Sequence, residues 1–169
     1  MKQFIIPFGG LREGKHDYKF EISDSFFAQF EYSDIEKGNI NVLLTLYKEP
    51  AMLILEFSLS GTVTVMCDRC SDIFNLPLKG QNQLIVKFGE KKYEETDEII
   101  VIPHTDSALD ITHYIYEYIN LLIPQRRVHP DKSGQCNPEV IQKIEELKRN
   151  KKYENTVDPR WEALSKLSH

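Results

Sequence analysis

Two of the chain's three cysteines stand as Cys67-Asp68-Arg69-Cys70, and the third, Cys136, lies seven residues after His129. Thiolates and a neutral imidazole are ligands that Zn²⁺ favours, and a Cys-x-x-Cys pair brings two of them to one ion. Closing a tetrahedral site takes a second pair, and His129 with Cys136 is the good candidate that the sequence offers. The ligand set nominated for zinc is therefore Cys67, Cys70, His129 and Cys136. Four protein ligands leave no open position, so the ion would be structural. It would tie the turn at Cys67 to residues 125–135, a loop with little apolar content to order it otherwise. The His-x6-Cys half lies outside the usual finger spacings. The competing reading is two small buried residues at a turn, with Cys136 a lone core cysteine.

The same pair can also be read as a redox dithiol. Thioredoxin-like sites set Cys-x-x-Cys at a helix N-terminus, whose dipole lowers a thiol pKa. Here the pair lies between two strand-like runs, and no helix is at hand to activate it. A thiol ionised well below the free-cysteine value would favour this reading. Other chemistry has little support. The chain lacks G-x-x-x-x-G-K-[ST], G-x-G-x-x-G, H-E-x-x-H and G-x-S-x-G. Gly9-Gly10 reads as a turn, not a phosphate loop. Asp68 and Asp72 flank the thiols as turn and supporting residues, not as an acid–base pair. His113 falls one position off an apolar stripe, and His16, His104 and His169 have no partner in sequence reach. The expectation is a protein that is not an enzyme.

The elements that must position the thiols follow from periodicity. Leu53, Leu55, Phe57, Leu59, Val63 and Val65 recur at period two, with Gly61 in phase and Glu56, Ser58, Thr62 and Thr64 opposite. That predicts a long strand with one wet face, and Cys67 continues its inward parity. Further strands are expected at 19–22, 41–48, 73–78, 84–88 and 98–102, and a short helix at 24–30. Residues 89–97 read as a polar loop. Asp110 reads as the cap of a helix with Ile111, Ile115, Tyr118 and Leu122 on its buried face, ended by Pro124. Asn137-Pro138-Glu139 is a helix start, with Val140, Ile141, Ile144 and Leu147 as its apolar side. Residues 149–157 read as a linker. Asp158-Pro159 starts a last helix carrying Trp161, Leu164 and Leu167. Strands first and helices last predict an α+β fold: an antiparallel sheet, open or curled into a partial barrel, followed by C-terminal helices. The expected division is a domain at 1–135, including the helix near 110–123, and a helical, basic extension at 136–169.

With 169 residues, 41% hydrophobic and 28% charged, the chain has the composition of a globular domain. It holds no apolar run of membrane-spanning length, and its N-terminal apolar stretch is too short for a secretory signal. An odd cysteine count argues against a disulfide framework, and a cytoplasmic protein with reduced thiols is expected. Residues 1–124 carry 11 basic and 19 acidic side chains, a net of −8, while residues 125–169 carry 10 and 7, a net of +3. The clusters at Arg126-Arg127 and at 148–152 are of the kind that meets phosphate, or else lie as solvated helix end and linker.

Several segments are similar to the YceD family, the large ribosomal RNA subunit accumulation proteins. They are Gly10-Leu11-Arg12-Glu13-Gly14-Lys15-His16, then Gly61 to Cys70 with its Cys-x-Arg-Cys, Leu109-Asp110-Ile111, Leu121-Leu122-Ile123-Pro124, and Asp158-Pro159-Arg160-Trp161 with Leu164 and Leu167. The resemblance implies a non-enzymatic role in large-subunit ribosomal RNA accumulation and ribosome biogenesis. The partner it implies is a ribosomal protein or assembly factor met by the acidic body, with RNA touched by the basic tail. Members with two full cysteine pairs differ from this chain, where, for a metal to bind, His129 must stand in for the missing thiol or water must fill the position. Two alternatives stay open: a thiol-active redox enzyme, and a zinc-stabilised interaction module unrelated to ribosomes.

Overall fold

The alternation from Leu53 to Val65 forms a 15-residue strand, β4 (Met52–Met66), whose inward side chains are buried while Glu56, Ser60 and Thr62 face water. The structure, a computed structural model, is described for residues 4–90, 98–129 and 136–150, with the side chains of 149 and 150 left aside. β4 is central in a five-stranded sheet of order β2-β3-β4-β5-β6. Its other strands are β2 (Gly14–Ile22), β3 (Gly38–Lys48), β5 (Ile73–Phe88) and β6 (Ile99–Ile102). β2 through β5 form an antiparallel meander, and the β4–β5 ladder runs unbroken from Met52↔Lys87 to Met66↔Ile73. The thiol pair sits in the turn that closes this hairpin.

The sheet is open and mixed. β6 runs parallel to β5, pairing Ile85↔Ile99 to Phe88↔Ile102, so the wholly antiparallel expectation fails at this edge. The strands expected at 73–78 and 84–88 are one strand. The polar stretch between them hid the continuity, yet Gly80 keeps the inward parity and is small for a reason. A Cβ there would collide with the Leu122 side chain. Gly61 is tighter still, since an added Cβ would fall on the Asn39 carbonyl oxygen and 2.6 Å from Ile40 Cα. Pro77 lies inside β5 without breaking it. Ile85 N–H donates outward to Glu98 O at 2.7 Å, so odd-numbered backbone groups face away from β4. Pro77 therefore lacks an N–H only on the outer edge, where the ladder loses nothing.

The inner face is covered by α1 (Asp24–Phe27), α2 (Thr112–Leu122) and a two-stranded ribbon of β1 (Ile5–Pro7) with β7 (Ala108–Asp110). Phe26 and Phe27, Ile115, Tyr118 and Ile119, and Ile6 with Leu109 carry the contact. The ribbon escapes a periodicity reading because three residues hold too few alternations. α2 starts at Thr112 and not at Asp110, but the Asp110 carboxylate accepts both the Thr112 N–H (2.8 Å) and its hydroxyl (2.5 Å). α1 is a single turn, shorter than the expected 24–30. The strand expected at 19–22 begins at Gly14. α3 (Pro138–Asn150) opens as its residues predict, with Glu139 N–H bonded to Asn137 Oδ1 at 3.1 Å. It contains residues 149 and 150, so the helix runs two residues into the segment expected as a linker. The rest of that linker, the polar segment 91–97 and the helix expected at Trp161, Leu164 and Leu167 lie outside the described residues. No described helix is long and apolar enough to cross a membrane.

Candidate metal centre

At the end of β4 the inward parity that buries Val63 and Val65 carries on to Cys67. The turn then closes by hydrogen bonds from Cys67 N–H to Asp72 O (2.9 Å) and from Ser71 N–H to Cys67 O (2.8 Å). Ser71 takes a left-handed conformation, φ 63°, which reverses the chain and leaves Cys70 on the same side as Cys67. The second strand of chemistry comes from beyond α2. Asp68 N–H donates to Arg127 O (2.7 Å), and Arg127 N–H donates to Asp68 Oδ2 (2.6 Å). This exchange lays the post-helical loop against the turn and delivers His129 two residues later. Cys136 comes in just ahead of the Asn137 cap of α3.

These four side chains meet. The Cys67, Cys70 and Cys136 sulfurs and a ring nitrogen of His129 all lie within 4.8 Å of one another. His129 Nδ1 is 3.6 Å from Cys70 Sγ and 3.5 Å from Cys136 Sγ. One imidazole nitrogen has a single lone pair or a single proton, so it cannot satisfy two thiols by ordinary hydrogen bonds. The two distances fit another description. Zn–S near ~2.3 Å and Zn–N near ~2.0–2.1 Å at a tetrahedral angle put nitrogen and sulfur ~3.6 Å apart. The observed separations match edges of such a tetrahedron, in which Nδ1 would be the ligand atom. Cys67 is 1% exposed, Cys70 3% and His129 5%, and the Phe74 ring packs on the imidazole at 4.4 Å. The donor set and its enclosure fit zinc.

The electrostatics are those of a thiolate nest. Burial alone would raise the Cys67 thiol. Hydrogen bonds to it from the backbone N–H groups of Arg69, Cys70 and His129, and from the Cys70 side chain, outweigh burial and hold it at about 6 against 9.0. Cys136 is pushed the other way, by burial first and then by its two neighbouring thiols. A depressed thiol serves a metal ligand and a redox nucleophile equally. Access bears on the choice, because sulfurs as enclosed as Cys67 and Cys70 are poorly placed to attack a protein disulfide.

All four residues nominated by sequence are thus brought together. What spacing alone did not reveal is how. Arg127, read with Arg126 as a cluster that meets phosphate or lies solvated, is engaged with Asp68, its Nε 3.8 Å from Oδ1. Phe74, read only as a strand residue, is the shelf for the imidazole. The remaining described histidines stay apart. His16 bonds Arg12 O (2.8 Å), His113 pairs with Glu117 (3.0 Å) on the exposed face of α2, and His104 stacks on Phe88. His169 lies outside the described residues.

Residues 55–168 match the family model described as large ribosomal RNA subunit accumulation protein YceD. No curated protein and no solved structure matches the chain.

Proposed function

Because the chain belongs to the YceD family, whose matched span includes all four candidate ligands, we propose that it supports accumulation of large-subunit ribosomal RNA as a binding factor and not as a catalyst. In this reading Cys67, Cys70, His129 and Cys136 hold one structural Zn²⁺, with His129 bound through Nδ1. The observation that carries the zinc assignment is the pair of 3.6 and 3.5 Å separations from one ring nitrogen to two sulfurs. The ion supplies no reaction, since four protein ligands fill its coordination. Its work is to fasten the post-α2 loop and the start of α3 to the β4–β5 turn, joining the extension expected at 136–169 to the body at 1–135. The family description supports the ribosomal role. The charge split supports an acidic body that meets a basic ribosomal protein or assembly factor, with the basic C-terminal part free to meet RNA, in the cytoplasm.

Two measurements test the two halves separately. Elemental analysis of the purified full chain should give about one zinc per chain, and the Cys136→Ser variant should lose most of it; no zinc in either protein removes the metal assignment. Sedimentation of ribosomes from a deletion strain should show a deficit of large subunits and their RNA, restored by the intact gene. Normal amounts of both would remove the ribosomal role.

A further inference from the structure

The two sides of the sheet end differently. β6 pairs with β5 only from Ile85 to Phe88, but the open stretch of β5 before it carries Pro77, which withholds an N–H from any newcomer. At the other side β2 is joined to β3 without a break from Gly14↔Lys48 to Ile22↔Ile40, and among the described residues no strand pairs with its outer edge. Alternate N–H and C=O groups along this strand therefore point outward, with no proline or bulge to interrupt them. An edge of nine residues is a template for another strand.

Its side chains say which strand. Lys15, Asp17, Lys19 and Glu21 stand exposed on the wet face and alternate in sign. Asp17 is held in place there, with the Thr45 hydroxyl donating to Oδ1 at 2.7 Å and Lys15 Nζ 3.5 Å from Oδ2. On the core side His16, Tyr18 and Phe20 are only half-buried, and the Tyr18 and Phe20 rings stack at 6.4 Å. Reversing the strand about Tyr18 exchanges each lysine with an acid, so a second copy answers the pattern. Opposite residues of an antiparallel pair share a face, so allowed registers differ by steps of two residues. Centred on Tyr18, the pairing sets Lys15 against Glu21 and Asp17 against Lys19, each twice by symmetry. Shifted one way, Lys19 meets Lys19 and Asp17 meets Glu21. Shifted the other way, Asp17 meets Asp17 and Lys15 meets Lys19. The centred register uses the whole strand and sets no like charges opposite one another.

We propose that β2 is a dimerisation edge, at which two copies of this chain pair antiparallel about a two-fold axis through Tyr18. The axis is normal to the sheet, so both cores stay on one face of a continuous sheet. On that face the Tyr18 side chains meet across the axis and Phe20 lies opposite His16 of the second copy. None of these residues belongs to the metal centre, so the proposal stands or falls apart from zinc and from the ribosomal role.

Sedimentation velocity of the full-length protein should show a reversible monomer–dimer equilibrium between micromolar and near-millimolar concentration. Asp17→Lys and Lys19→Glu each turn two opposite-charge pairs into like-charge pairs, and each should lower the association constant about ten-fold or more. Mixed in equal amounts, the two variants complement each other, because lysines of the first then face acids of the second. The mixture should associate about as tightly as the parent. Monomer throughout the range overturns the proposal, as does association indifferent to either variant. A mixture no tighter than its components, with both keeping the parent's circular dichroism, overturns it too. Lys15→Glu and Glu21→Lys make the same exchange at the outer pair, and decide the matter if losing the Asp17–Thr45 bond unfolds the chain.

Discussion

Replacing Cys70 by serine tests the metal clip most directly, because oxygen for sulfur changes the packing little and the coordination a great deal. Cys70 Sγ lies 3.6 Å from His129 Nδ1 and is 3% exposed, so serine leaves a buried hydroxyl where a thiolate ligand is needed. Loss of a group that merely supports a zinc ligand costs 10–100-fold in affinity, and loss of a ligand exceeds that, at least ~100-fold. At fixed free zinc a 100-fold change removes about 2.7 kcal/mol of ligand-linked stability. For a chain of this size that is roughly 5–11 °C in Tm. Melting should be followed by circular dichroism in buffered zinc and again in chelator. Chelator should lower Tm of the parent protein by at least this amount. The Cys70→Ser protein should melt near the chelated parent in both buffers. Equal zinc-dependent shifts in parent and variant would refute the reasoning, and so would the absence of any shift in the parent.

Acidity should act through Cys67. Its folded-state pKa, about 6, lies below the ordinary 9.0, so in metal-free protein its ionisation contributes stability that is full above pH 9 and gone once pH has fallen through 6. Cys136, shifted upward, opposes this at the alkaline end. Zinc followed with a chromophoric indicator should be released on acidification, as protons compete for the ligand thiolates; zinc retained unchanged into strong acid would contradict thiolate ligation. Gly61→Ala should destabilise by about 1–3 kcal/mol or more, because the new methyl meets β3 backbone that cannot step aside; unchanged urea unfolding would contradict the close strand approach.

Much of the fold is legible wherever one residue pattern serves one burial requirement. The run from Leu53 to Val65 alternates because one face of β4 is core and the other water. The Asn137-Pro138-Glu139 start needs only local bonds, and its cap forms as read. The cluster of Cys67, Cys70, His129 and Cys136 is legible because the chain has only three cysteines, two of them paired. What stayed hidden depends on distant partners. Continuity of β5 across Lys79 to Gln83 rests on Leu122 filling the space above Gly80, a contact some forty residues away. The parallel pairing of β6 and the β1–β7 ribbon have no local signature. Arg127 belongs to Asp68 through a loop geometry that no spacing rule encodes.

The proposed clip would also set an order of events during synthesis. Cys70 and His129 are 59 residues apart, so at 5–20 residues per second the imidazole leaves the ribosome about 3–12 seconds after the thiols. By then the β4–β5 hairpin has been translated in full. Metal capture at the proposed site would accordingly come late. A chain truncated in the post-α2 loop would present two bare thiols at a strand end and nothing to seal them.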